Sequence, residues 1–267
     1  MIVHVAPAAP RTRGGTVRRG VPGRGPLPSI SVVVPARDDA DALARCLQLL
    51  AEQTVAPHEV VVVDNASCDS TRLVATAWGA RVVVEERIGI PAAASTGYDE
   101  ARGDVVARLD ADSRPGPRWV ERIGVRMRDE PALEAVTGVG TFDDLPPVVG
   151  TAAAVVYLGA YYGLCHLALG HTALWGSSMA VRRASWLAVR TAVRREDPDV
   201  HDDLDLAFAL GPHRRIRLDR GLVVGVSSRS LRGSAQWCRR WARAWRTLRL
   251  NWESTPPWAR WRVRVAR

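Results

Sequence analysis

Lysine is absent from this chain: all 37 basic residues among its 267 are arginine. That absence removes any Gly-rich, Lys-dependent phosphate loop, and the first apolar stretch, "VVVPARDDADA", has no Gly-rich turn either. A sugar-phosphate nucleotidyltransferase is set aside on that ground. Cysteine is sparse. Cys46, Cys68, Cys165 and Cys238 lie far apart with no CxxC or Cys/His spacing, which excludes a zinc-ligand pattern and predicts an intracellular chain with buried thiols. Acids are missing from residues 1–28, where Pro, Gly and five Arg crowd and no apolar run is long enough for a signal peptide. A disordered basic arm is expected there.

The charge that is present lies unevenly. Residues 229–267 carry eleven Arg against Glu253 alone, so the two ends together hold +15 of a formal net +9, and residues 29–228 are left at −6. A pI near 10.5 and an Arg/Trp tail suggest nucleic-acid binding as an alternative function, but an acidic body counts against it. With 47% apolar residues the chain can bury one sizeable core.

Order is predicted from "SISVVVPARDDADALARCLQLLAEQ" onward. Ile30 to Val34 form a β-branched run suited to a strand covered on both faces, and Asp38, Asp39 and Asp41 favour the start of a helix bearing Leu43, Leu47 and Leu50. The pattern repeats. Val60 to Val63 lead into Asp64-Asn65 and a helix capped by Ser67, Asp69 or Ser70; Val82 to Val84 give a third strand, a helix runs around Ala92 to Ala101, and Val105 to Leu109 give a fourth strand. Strands alternating with helices at this spacing predict an α/β sheet with right-handed crossovers.

Ligands of such sheets sit beyond the carboxyl ends of the strands, where Asp38, Asp64, Asp110 and Asp112 all fall. Any one of them can instead cap a helix. Asp110 and Asp112 are different, because like charges so close repel unless a cation joins them. A hard divalent cation held by carboxylate oxygens, with water and phosphate completing its shell, accounts for the pair.

In order and spacing, "SVVVPARDDADALARCLQLL", "VVVVDNASCDST" and "GDVVARLDADSRPGPRWV" resemble the donor-binding half of family 2 glycosyltransferases. The resemblance covers about residues 29–230. It implies an α/β GT-A (Rossmann-like) single domain with a mostly parallel central sheet, divided into a nucleotide-sugar half (29–120) and an acceptor and catalytic-base half (121–230). A C-terminal amphipathic helical tail follows over 231–267. It further implies that Pro35, Arg37 and Asp38 face the nucleotide, that Asp64 with Asn65 contacts base or ribose, and that Asp110 and Asp112 form the DxD pair. Asp112 is then the direct Mg²⁺ or Mn²⁺ ligand, and Asp110 lies nearer the ribose or a bound water. Where many members read Ala-Arg-Asn-x-Gly, Ala94 and Ser95 stand in the Arg and Asn places. Where many place a His after the strand at Leu222 to Val226, Ser227, Ser228 and Arg229 follow. The cation is then held by fewer protein groups, or Arg229 contacts phosphate. Missing groups of this kind also raise a catalytically degenerate relative.

In the second half, "LWGSSMAVRRASW" resembles the family's acceptor-side segment, with Trp175 and a small-residue turn at Gly176 to Ser178 ahead of a strand and the pair Arg182-Arg183. "DPDVHDDLDLAFALG" resembles the Glu-Asp-x-Asp-Leu motif: Asp202 stands in the Glu place, Asp203 in that of the base, and Asp205 completes it on the acceptor side. A helix starting near Asp202 puts Asp202 and Asp205 on one face. An inverting transfer needs a carboxylate opposite the leaving phosphate to take the proton from the attacking hydroxyl, and Asp203 is the residue expected to do so. His171, His201 and His213 are expected to be structural or at the surface.

Two stretches bear on membranes. Leu145 to Trp175 contains no Asp, Glu, Lys or Arg and is long enough to span a bilayer. A single span would part Asp112 from Asp203, which must meet one sugar, so a buried or interfacial helix shaping the acceptor site is expected. In the tail, Trp237, Trp241 and Trp245 recur every four residues among Arg239, Arg243 and Arg246, which suits either an anionic headgroup layer or packing on the body. The expected protein is a metal-dependent enzyme, cytoplasmic and peripheral on the inner face of the plasma membrane. It would use a nucleotide-sugar donor and a glycan or lipid-linked acceptor, without nucleic acid as a partner.

Overall fold

The computed structural model describes residues 25–228 and 233–266. Most of the basic arm, over 1–24, and Arg229 with its expected phosphate contact lie outside the described residues. The predicted strands form as β1 (Ile30–Ala36), β2 (Glu59–Asp64), β3 (Arg81–Val84) and β4 (Val105–Arg108), separated by α1 (Ala40–Ala51), α2 (Thr71–Ala77) and α3 (Ile90–Glu100). The second half adds β5 (Arg114–Pro115), α4 (Trp119–Asp129), β6 (Leu133–Phe142), α5 (Pro147–Leu169), β7 (Met179–Arg182), α6 (Arg183–Val189), α7 (Asp202–Leu210), β8 (Arg215–Val226), α8 (Ser234–Trp252) and α9 (Pro257–Val265).

One sheet runs in the order β3-β2-β1-β4-β7-β6-β8-β5. The first four strands are parallel, β7 runs antiparallel to both β4 and β6, and β6 and β8 are again parallel. Both faces are covered, as the β-branched runs require. Val32 and Val34 pack with Leu43, Leu47, Ile123 and Met127 on one side, while Val33, Val61 and Val63 pack with Ala93, Tyr98, Trp186 and Phe208 on the other. Gly97 lets α3 approach closely, since a Cβ there would lie 2.3 Å from Val33 Cγ1.

Several local expectations are corrected. The cap of α2 falls on Ser70 without a side-chain bond, and Asp69 instead accepts from Thr71 N and from Ala40 N at the head of α1. Cys46 and Cys165 are buried, but Cys68 and Cys238 are exposed. Arg182 and Arg183 are neither solvated nor turned to an acceptor: Arg182 donates to the carbonyls of Leu133 and Met127, and Arg183 to that of Ala101. These bonds reach carbonyls at the start of β6, in the last turn of α4 and at the C-cap of α3. The apolar α5 is only partly buried. Its inner face packs Ala154 and Leu158 into the body, and Val148 and Val156 on the other side are 83% and 73% exposed. The tryptophan stripe of α8 divides: Trp237 meets the Tyr157 ring edge-on at 6.0 Å, whereas Trp241 and Trp245 are exposed.

Candidate active site

The site grows from the antiparallel pairing of β4 with β7. Arg108 stands opposite Met179, so the segment entering β7, Trp175 to Ser178, lies beside the acids that leave β4. Ser177 Oγ donates to Asp110 Oδ2 at 2.5 Å, and Arg108 Nη2 donates to Asp110 Oδ1 at 2.9 Å. Through Nη1 the same guanidinium pairs with Asp202 at the head of α7. Arg108 is only 3% exposed, and its Nε is buried without a hydrogen-bond partner. Gly176 makes room for it, since a Cβ at 176 would lie 2.7 Å from Arg108 Cζ. The N–H of Gly176 donates to Asp203 Oδ2 at 2.9 Å and Asp203 Oδ1 accepts from Leu204 N, which fixes that carboxylate.

Burial pushes the Asp202 carboxyl up to about 6 despite the opposing Arg108 charge, with Asp203 and Asp110 adding to the rise. Arg108 is held more firmly charged than usual: burial works against it, but Asp202 and Asp110 outweigh that cost.

A cavity of about 240 Å³ opens over this cluster. Asp110, Asp112, Trp175, Gly176, Asp202 and Asp203 all line it, so the structure brings together both DxD acids and the residue expected to act as base. Gly140 makes room for Trp175, since a Cβ there would sit 2.5 Å from its indole.

Other expected site residues lie elsewhere. Pro35, Arg37, Asp38, Asp64 and Asn65 sit at the carboxyl ends of β1 and β2 and do not line this cavity. Asp38, at a left-handed φ of 49°, accepts from Cys68 N at 2.6 Å and donates its own N–H to Ser67 Oγ, which staples the two loops. Asp64 is paired with Arg72 at 2.7 Å; burial alone would raise its carboxyl, but the bonds from Ser67 and Arg72 hold it below the usual range. Asn65 bridges to the carbonyls of Glu85 and Arg87 and the N–H of Gly89. Asp205, placed on the acceptor side by its motif, turns away: it is 2% exposed and bonds Arg194 and Asn251, because α7 buries that face against the loop before it and α8.

Sequence reasoning missed Arg108, Tyr157, Tyr161, His201 and Arg240 as cavity residues. Only Arg108 left a signal, a lone charge inside an otherwise apolar strand. Among the described residues no group of three or more His, Cys, Asp or Glu is gathered around a metal position. Two carboxylates in one cavity fit the other mode of a hard divalent cation, in which one or two acids share the shell with waters and substrate phosphates.

Residues 31–158 match the family model described as Glycosyl transferase family 2. The chain is 33% identical over 135 residues to the glycosyltransferase AglE of Haloferax volcanii, covering 48% of this chain and 43% of the relative. It is 27% identical over 115 residues to the undecaprenyl-phosphate 4-deoxy-4-formamido-L-arabinose transferase of Serratia proteamaculans, covering 39% of this chain and 35% of the relative. The chain thus spans less than half the length of these curated relatives. Among solved structures it resembles the mannosyltransferase PcManGT of Pyrobaculum calidifontis, in complex with GDP-Man and Mn²⁺, at a TM-score of 0.60 and 23% identity over 80% of this chain and 61% of that one. It also resembles glucosyl-3-phosphoglycerate synthase of Mycobacterium tuberculosis, in complex with Mn²⁺, UDP and glucosyl-3-phosphoglycerate, at a TM-score of 0.61 and 19% identity over 86% of this chain and 80% of that one. The fold is GT-A, and residues 31–158, just under half of the chain, are a family 2 glycosyltransferase region.

Proposed function

We propose that the chain transfers a sugar from a nucleotide-diphospho-sugar to a hydroxyl of its acceptor, with inversion at the anomeric carbon and Asp203 as the base. The observation that carries this reading is the single cavity holding Asp110, Asp112 and Asp203, with the last fixed by the Gly176 N–H. Asp203 takes the proton of the acceptor hydroxyl, whose oxygen attacks the anomeric carbon as the nucleoside diphosphate leaves from the opposite face. Asp112, with Asp110 already oriented by Arg108 and Ser177, would hold a Mg²⁺ or Mn²⁺ ion. When bound, that ion supplies positive charge to the leaving diphosphate. The base and ribose of the donor fall to the loops after β1 and β2, at Pro35 to Asp38 and at Asp64.

Peripheral contact with an anionic membrane at the cytoplasmic face belongs to the same reading. Pro147–Leu169 is long and apolar enough to cross a bilayer, with a mean hydropathy of 1.6, yet Ala154, Tyr157, Leu158 and Tyr161 along it line the cavity. A helix used in this way lies along the headgroup layer, with its exposed valines and the exposed Trp241 and Trp245 facing lipid. The acceptor on this reading is a lipid-linked or cell-envelope glycan.

The test is Asp203→Asn. Turnover of the donor should fall by about 10²–10⁴-fold while donor affinity stays within a few-fold, because the amide keeps the shape but cannot take a proton. Unchanged turnover would remove Asp203 from this role.

A further inference from the structure

The cavity has a second wall of opposite charge. Arg240 and Arg243, one turn apart on α8, line it together with the acids. Arg240 is half-buried; its Nη1 donates to Tyr157 Oη at 3.1 Å, and among the described residues it forms no ion pair with a carboxylate. Its carbonyl faces His201 Nε2 at 3.2 Å, immediately before Asp202 and Asp203, and Thr247 Oγ1 accepts from His201 N at 2.8 Å. These bonds fix this stretch of α8 on the base side of the cavity. Arg243 has one acid near, Asp199 at 3.7 Å, but that carboxylate is 70% exposed and the pair is worth little in water. Of the cavity's acids, Asp110 and Asp202 already share Arg108, and Asp203 accepts from the N–H groups of Gly176 and Leu204. Two guanidiniums facing a partly desolvated cavity favour an anion, and a pair of monocations matches a dianionic phosphomonoester better than a single carboxylate.

Resting on the function proposed above, we infer that Arg240 and Arg243 form an anion subsite for the acceptor, which therefore carries a phosphate group beside the hydroxyl that Asp203 deprotonates. The donor's diphosphate is the other phosphate in the reaction, but its place is at Asp110 and Asp112, on the β4 side. Both a phospholipid-type headgroup and a small soluble phosphate ester present this chemistry.

The experiment uses the full chain and measures melting temperature with inorganic phosphate, and separately with UDP or GDP plus Mn²⁺, for the native protein, Arg240→Gln/Arg243→Gln and Arg240→Lys. Phosphate should stabilise the native protein, with apparent affinity falling about tenfold or more in the double Gln variant and less in Arg240→Lys. The nucleotide response should survive in all three. Circular dichroism confirms that the variants fold. A phosphate response that is absent in the native protein, or unchanged in the double variant, overturns the subsite. Loss of the nucleotide and phosphate responses together also overturns it, by assigning the arginines to the donor. A native protein that responds to phosphate but to no nucleotide keeps the anion site and defeats the donor reading instead. Sedimentation with phosphatidylcholine vesicles, with and without phosphatidic acid, separates the sources. Phosphatidate-dependent pelleting that the double Gln variant loses identifies a lipid phosphate; pelleting equal in both proteins, beside a lost phosphate response, identifies a soluble ester.

Discussion

Arg108 ties the two halves of the site together with one side chain. It reaches Asp110 just after β4 and Asp202 at the head of α7, next to Asp203, and is itself only 3% exposed. Removing one partner of a buried ionic cluster leaves the others uncompensated. Arg108→Leu should therefore destabilise the fold by about 3–5 kcal/mol in urea unfolding. Arg108→Lys should fall between that variant and the native protein, because an ammonium keeps the charge but not the fork. Gly176→Ala drives a methyl into the same guanidinium and should lower turnover, with a stability loss of about 1–3 kcal/mol. The acids of this site were legible in the sequence because their meaning lies in short spacings, Asp110 to Asp112 and Asp202 to Asp203. The roles of Arg108 and Arg240 depend on which distant segment folds against them, and nothing local encodes that. The resemblance leaves Ala94 where many relatives carry an arginine, yet a guanidinium still reaches Asp202, from β4.

Among the elements, α9 shows how the C-terminal region is fastened. Arg260 is 4% exposed; its Nε donates to Leu169 O at 2.8 Å, its Nη2 meets His171 Nε2 at 3.0 Å, and its guanidinium lies 4.7 Å from the Phe208 ring centroid. His171 Nδ1 faces Thr172 O, so that nitrogen carries the proton and Nε2 accepts from Arg260. Burial, then repulsion from Arg260 and Arg264, lowers His171 from 6.5 to about 4. A depressed histidine pKa gives stability that is complete above the unfolded value and is lost as the pH falls from there to the folded value, because the unfolded form binds the proton first. On the order of 3 kcal/mol should therefore disappear as the pH falls from about 6.5 toward 4. Hydrogen exchange across 257–265 should show α9 loosening in that window, and His171→Gln should flatten the dependence. The parallel strands β1 to β4 could be read from their β-branched runs, each bounded by turn residues. The antiparallel insertion of β7 between β4 and β6 could not, since "SSMAVRR" carries no mark of its partners.

At the scale of the molecule, charge and apolar surface are segregated in ways the sequence already announced. The body is acidic overall, and the C-terminal helices are basic where Trp241, Trp245 and the outer side of α5 are exposed. The same partition counts against nucleic acid as the principal ligand, because the arginines of the described body are largely engaged with its own acids and carbonyls. Net charge and the tryptophan spacing could be counted from the chain. The docking of α8 over α7, which turns a basic tail into a cavity wall, rests on side-chain bonds such as Asn251 to Asp205 and emerges only in three dimensions. The central claim is that Asp110 and Asp112 build a cation-dependent donor site, and it is tested most directly by the melting temperature of the full chain with UDP, GDP or dTDP, each with and without Mn²⁺ or Mg²⁺. The account predicts a metal-dependent rise with one of these diphosphates that Asp112→Ala abolishes; no rise with any of them, or an equal rise without metal, would contradict it.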